Sequence, residues 1–216
     1  MPTDAHTPQI SDSTVQERTN LMRRAGGLYL IIILSGLSAE LALRGPALTD
    51  GLSAADIPAL RLSLLADLVM LVADVGLAVV FYRLLRCVNQ SKALAAMVLR
   101  LMQAGLIGGG LVLLSGVPLT MGSDLAPVLV ELHANGYDLG LILFGVNCLI
   151  MAQLLCPTRA PFVLSPMLAG SGLVYIGGSL TRLMAPGWSA TIEPAYLLCI
   201  LTEATLCIWL LRSKGL

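Results

Sequence analysis

The chain has 216 residues, 56% of them hydrophobic and only 12% charged, with a mean hydropathy of +0.85; about a quarter of a soluble domain's residues are charged. That excludes a soluble globular domain and points to an integral membrane protein. The 13 basic and 13 acidic residues cancel to zero net charge, and without a basic stripe interleaved with aromatics no nucleic-acid partner is expected.

A hydrocarbon core about 30 Å thick needs about 20 apolar residues at 1.5 Å each, so the chain holds several spans and little else. Residues 1–20, MPTDAHTPQISDSTVQERTN, are polar and Ser/Thr-rich. They bury too little surface to fold alone and are expected to form a disordered cytoplasmic tail. The tail is too polar for a secretory signal, and the long apolar run after Arg23 and Arg24 lacks a small-residue cleavage site, so it is expected to remain as an anchor.

Six segments fit the length rule: 25–43, 62–82, 93–117, 137–156, 167–184 and 195–212. Arg44-Gly45-Pro46 is expected to close the first, Pro118 the third, Cys156-Pro157 the fourth and Pro186-Gly187 the fifth. Between the first two, Ser53 and Asp56 have the spacing of a capping box, predicting a short interfacial helix that feeds the second span. The expectation is an all-α, polytopic bundle of six transmembrane helices over residues 21–216.

With the N-terminus inside, Arg18, Arg23, Arg24, Arg83, Arg86, Lys92, Arg159, Arg212 and Lys214 all lie on the cytoplasmic side. Only Arg44, Arg61 and Arg182 lie at the outer ends, which places both termini in the cytoplasm. Trp188 stands where an interfacial aromatic belongs. Cys87, Cys148, Cys156, Cys199 and Cys207 fall within spans or at their inner ends, so no disulfide framework is implied. With only His6 and His133 as histidines, no Cys-x-x-Cys and no phosphate-cradling loop, no metal or cofactor is expected. Gly105 with Gly109 and Gly136 with Gly140 have the spacing that lets helices approach closely; local unwinding at residues 108–110 is the alternative.

Ionisable residues inside apolar spans mark function by default, and here they are Glu40, Asp67, Asp74, Arg100, Asp138 and Glu203. Counting at 1.5 Å per residue sets Asp74, Arg100 and Glu203 roughly 12–14 Å above the inner surface, with Asn147 beside them at about 15 Å. Asp74 and Arg100 lie on consecutive antiparallel helices and are expected to meet as a buried ion pair. Glu203 has no obvious cationic partner. Nearer the outer boundary, Glu40 and Arg44 have the favourable i, i+4 order, and Asp67 shares a face with Ser63, Met70 and Asp74. Arg61, His133, Asp138 and Arg182 stand around the same rim. The expectation is one outward-opening chamber with Glu203 and Asn147 at depth. A carboxyl buried there without a counter-charge keeps its proton and can donate it, although such polar groups also serve simply to bind helices together. Tyr175 extends the network through its hydroxyl, and His133, near Glu131 and Asp138, is placed to relay protons.

Several short motifs together carry a resemblance. They are Ala25-Gly26-Gly27-Leu28-Tyr29-Leu30 with Ala39-Glu40 and Arg44, Ala66-Asp67 with Asp74, and Tyr82-Arg83-Leu84-Leu85-Arg86-Cys87-Val88-Asn89. Leu99-Arg100-Leu101-Met102-Gln103, His133 with Gly136 and Gly140, Phe144-Gly145, and Glu203 with Trp209-Leu210-Leu211 continue the series. In these the chain resembles the bacterial membrane family called domain of unknown function 4386, over nearly everything after residue 20. The resemblance implies a six-span fold in a bacterial inner membrane and brings no activity with it. Asn147, where the family more often has histidine, and Arg182, where an acid or small polar residue is commoner, depart from its pattern.

The leading functional expectation is an intramembrane enzyme acting on a lipophilic small molecule within the lipid bilayer, through acid-initiated cyclisation or isomerisation of an isoprenoid. It draws on a layout similar to that of the small integral-membrane terpenoid cyclases. Glu203 and Asp67 are then acid or base with Glu40 in support, and Asp74, Arg100, His133, Asn147 and Tyr175 bind substrate. One alternative is a small proton-coupled transporter, which at this size needs a homo-oligomer. The other is a structural or stress-associated membrane protein whose charges only lock the bundle.

Overall fold

Along α3 (Ile57–Leu85) the side chains sort in the opposite sense to those of a soluble helix. Leu62, Leu65, Val69, Val72 and Val79 face outward, each at least 45% exposed, while Ser63, Asp67 and Asp74 are buried. Lipid solvates aliphatic side chains and cannot solvate carboxylates, so an apolar exterior over buried acids is what a bilayer selects.

The computed structural model describes residues 12–49 and 53–213, and the regular structure within them is all helical. α1 (Asp12–Leu37) continues through a π-helical turn (Ser38–Arg44) into the short α2 (Gly45–Thr49). α3 is followed by α4 (Gln90–Gly116), α5 (Leu125–Leu155), α6 (Leu164–Met184), α7 (Ser189–Ile192) and α8 (Tyr196–Arg212). The six long helices pack as a ring in chain order, α1 on α3, α3 on α4, α4 on α5, α5 on α6 and α6 on α8. Contact between α8 and α1 closes it, with the Cys207 thiol donating to the Gly26 carbonyl at 3.5 Å.

Five helical segments are long and apolar enough to cross a membrane: Val15–Leu48, Ile57–Leu85, Gln90–Leu119, Leu125–Leu155 and Pro186–Arg212. This is the character of a multi-pass protein in a lipid bilayer. The expected fifth span, 167–184, does form a helix, α6, but it is not among those five. Its glycines and serines dilute its hydropathy.

The N-terminal segment differs from expectation. Residues 1–11 lie outside the described residues, but from Asp12 the expected disordered tail is helix. Its polar residues are held by the end of α3: Glu17 pairs with Arg83 at 3.1 Å, Arg18 donates to the Cys87 thiol, and Leu21 and Met22 enter the core. Nor does Arg44-Gly45-Pro46 close the first span. The π turn carries the chain through, with the Gly45 N–H donating to the Glu40 carbonyl. A Cβ at Gly45 would lie 2.7 Å from that carbonyl oxygen, which is why the position needs glycine.

The expected cap at Ser53 is present. Asp56 accepts from the Ser53 hydroxyl at 2.6 Å and from its backbone N–H at 2.9 Å, and the 3₁₀ turn Ala54–Asp56 leads directly into α3. The Ser53 hydroxyl, and after it the N–H, hold the Asp56 carboxyl below the usual carboxylate range. A depressed carboxyl contributes stability that is present above its unfolded pKa and is lost as pH falls through the folded one. Acid titration should therefore move the Ser53 amide proton resonance upfield with a midpoint below that of free aspartate, and Asp56→Asn should abolish the transition.

Among the glycines, Gly136 and Gly140 do face α4, Gly136 lying close to Gly110 and Gly140 close to Gln103. Gly105 and Gly109 have no neighbour within 4 Å of an added Cβ, so they are not the packing pair expected. A reciprocal backbone-to-backbone approach joins α5 to α6, where a Cβ on either Gly145 or Gly172 would stand 2.7 Å from the other's carbonyl oxygen. Gly145→Ala should lower stability by about 1–3 kcal/mol through overpacking. Gly105→Ala should leave it unchanged or slightly raised, because alanine is the better helix former. Thermal unfolding in detergent separates the two.

Candidate functional site

Arg100 is 4% exposed, and a guanidinium so deeply placed requires a counter-charge and hydrogen bonds. Asp74 supplies both, with Nε 2.7 Å and Nη2 2.6 Å from its Oδ1. The guanidinium carbon also lies 5.0 Å from the Phe144 ring centroid, 5.5 Å from Tyr29 and 5.9 Å from Phe81, within cation–π range of all three. Side chains from α1, α3, α4 and α5 thus converge on one cation. The ion pair expected of Asp74 and Arg100 is formed.

Beside this pair is a cavity of about 270 Å³. Every helix of the ring contributes to its wall, through Tyr29 and Ile33 of α1, Asp74 of α3, Gln103 of α4, Tyr137 and Phe144 of α5, Tyr175 of α6 and Glu203 of α8. Tyr175 donates its hydroxyl to Glu203 Oε1 at 2.5 Å, and its ring is flanked by Phe144 at 5.2 Å and Tyr196 at 5.9 Å. No Arg, Lys or His among the described residues lies within ion-pair distance of Glu203. Glu203 is half-buried as a residue and stands in the cavity wall. Leu37 and Ile200 also line the cavity while being 39% and 50% exposed. The space therefore reaches the outer surface between α1 and α8.

Glu203, Glu40, Asp74, Arg100 and Tyr175 thus share one chamber. Asp67, His133 and Asn147 are outside its wall. Asp67 was expected as an acid or base without a counter-charge, but its Oδ2 is 2.5 Å from Arg44 Nη1; the π turn swings Arg44 inward onto it. Arg44 also binds Glu40 at 2.6 Å, the i, i+4 pair expected, so Glu40 reaches the chamber from a mostly exposed position. His133 is buried rather than at a solvated rim, because α5 begins at Leu125 and not at residue 137. Its Nδ1 lies against Gly110, and Asp138, its expected relay partner, is instead bound by Arg182 at 2.5 and 2.9 Å. Asn147 is buried on the far side of Arg100, at a void of only about 10 Å³.

Sequence reasoning missed Gln103, Tyr137 and the aromatic surround of Arg100. Gln103 stands three residues after Arg100 and so on the same helical face; that spacing was the available signal. Among the described residues no cluster of three or more His, Cys, Asp or Glu side chains is arranged to hold a metal ion.

The model of the family described as domain of unknown function DUF4386 matches residues 24–213. The chain belongs to this family. No curated protein and no solved structure matches it. The family match spans all six helices of the ring and every chamber residue named above. It begins after the first turns of α1, the part of that helix ordered by the end of α3.

Breaking the central pair strands a charge in low dielectric, which costs about 3–5 kcal/mol. Asp74→Ala should lower stability in detergent by that order. Asp74→Ala combined with Arg100→Met should recover most of it, the signature of two buried charges coupled to each other.

Proposed function

We propose that the chain is an integral membrane enzyme that uses Glu203 as a buried carboxylic acid on a lipophilic substrate, most concretely in the acid-initiated cyclisation or isomerisation of an isoprenoid. The observation that carries this reading is the condition of the chamber's carboxyls. Asp74 is neutralised by Arg100, Glu40 is paired with Arg44 and exposed, and Glu203 alone faces the cavity with a tyrosine hydroxyl as its partner.

The chemistry follows from that arrangement. Glu203 transfers the Oε2 proton to an alkene carbon; the alkene π pair becomes the new C–H bond and leaves a carbocation on the neighbouring carbon. The Tyr175 hydroxyl, bonded to Oε1, stabilises the carboxylate that remains. Aromatic faces of Tyr29, Tyr137 and Phe144 attract the cation, and the apolar wall keeps water from trapping it. Loss of an adjacent proton back to Glu203 gives a shifted double bond, and prior attack by an internal alkene gives a ring. Both outcomes are redox-neutral and restore the acid.

In this reading α6 also crosses the membrane and brings the spans to six, the termini are cytoplasmic, the membrane is a bacterial inner membrane, and substrate arrives from the bilayer between Leu37 and Ile200. Purified protein in nanodiscs, incubated with unsaturated isoprenoid alcohols of ten, fifteen and twenty carbons, should yield products of unchanged mass and new retention in gas chromatography. Glu203→Gln should lower kcat about 100-fold or more and Tyr175→Phe about tenfold. Absence of product at every chain length, or full turnover in Glu203→Gln, would remove the proposal.

A further inference from the structure

Gln103 faces the chamber from α4 and is 7% exposed, yet its amide oxygen has no hydrogen-bond partner. Its amide nitrogen makes no hydrogen bond among the described residues either. Buried amides are ordinarily satisfied, so a free one on the wall of a cavity is a vacancy for a ligand group. Oε1 is itself enclosed, so a hydroxyl in the chamber is received by Nε2 first, and by Oε1 once the amide swings toward the open space.

The chamber's charges narrow the class further. Arg100 is the one cation among the described lining residues, and it is spent on Asp74 and covered by aromatic rings. A phosphate or diphosphate head would find no free guanidinium or ammonium and would meet the carboxyls of Glu203 and Glu40. An ammonium head only donates, so it cannot take the hydrogen bond that the Gln103 Nε2 offers. The remaining wall is aliphatic and aromatic, with Met70, Ile107 and Leu141 among its residues. In the ring, α4 and α8 are three neighbours apart in either direction, so Gln103 and Glu203 line the chamber from opposite helices.

We propose that the chamber takes a neutral lipid alcohol, its hydroxyl held by the Gln103 amide on one wall and its hydrocarbon extended across to Glu203 on the other. This rests on the reading of the chamber as a site for a lipophile and names the substrate class, with the hydroxyl an anchor rather than a leaving group.

The test is competition binding of tritiated farnesol to the full chain in nanodiscs, using unlabelled farnesol, farnesene, farnesylamine and farnesyl diphosphate. Farnesol should compete about tenfold better than each of the others, the worth of one well-made hydrogen bond. Gln103→Met should bring farnesol down to the level of farnesene, and should unfold at no lower temperature than the parent, because it removes an amide that nothing satisfies. A stronger diphosphate or amine, a preference that survives Gln103→Met, or no saturable farnesol binding would each overturn the proposal; the ligand series on the parent protein decides even without the variant. Glu203→Gln should keep the farnesol preference while losing turnover. Farnesol preference in a parent protein that turns over no substrate sinks the catalysis alone, and turnover of the hydrocarbon without alcohol preference sinks this inference alone.

Discussion

A guanidinium in the middle of an apolar bundle governs the interior of this protein. Arg100 is stable there only because Asp74 neutralises it and three aromatic rings cover its faces. Those partners come from α1, α3 and α5, so four helices are committed to one point by electrostatics. Helices held apart by a ring-covered ion pair do not close upon each other as leucine-lined helices would. The cavity lies immediately beside this cluster, and Asp74, Arg100, Tyr29 and Phe144 belong to both.

Charge neutralisation elsewhere sharpens the contrast. Arg44 takes Asp67 and Glu40, and Arg182 takes Asp138, donating as well to the Tyr196 hydroxyl at 3.1 Å. Each of these acids is locked by a cation on a neighbouring turn or helix, which joins segments and leaves little chemistry. Glu203 is treated differently, with a phenol and open space in place of a guanidinium. One fold thus separates acids that hold helices together from an acid left facing open space, and the separation comes from partner type, since all of them sit in apolar spans.

The parts that could be read from the sequence were those set by depth and short spacing. Asp74 and Arg100 are 26 residues apart across a tight hairpin, so equal distance from the same turn sufficed to pair them. Glu40 and Arg44 follow from one helical turn, and the solitude of Glu203 follows from the lack of a basic residue at its level on α8. Rotation about the helix axis is harder, because in a lipid-facing bundle both sides of a helix are apolar. Asp67 was misassigned because a π turn at Ser38–Arg44 re-aims Arg44, and no periodicity announces such a turn. Asn147 has the expected depth but faces away from the chamber. The glycines behave in the same way: Gly136 and Gly140 point at a neighbour and Gly105 and Gly109 do not, although the spacing is identical. At the N-terminus, the polarity that suggests disorder instead serves contacts with Arg83 and Cys87, sixty-odd residues away.

The central claim is that the space between the Arg100–Asp74 cluster and Glu203 is an occupied site in the working protein, reached through the seam between α1 and α8. Photolabelling the full chain in nanodiscs with a diazirine-bearing isoprenoid alcohol, followed by peptide mapping, addresses it directly. The account predicts labels on Glu203 and Tyr175, with weaker ones at Leu37 and Ile200, all suppressed by excess unlabelled alcohol. Labels confined to outward residues such as Val72, Val112 and Leu173, unaffected by competitor, would contradict it.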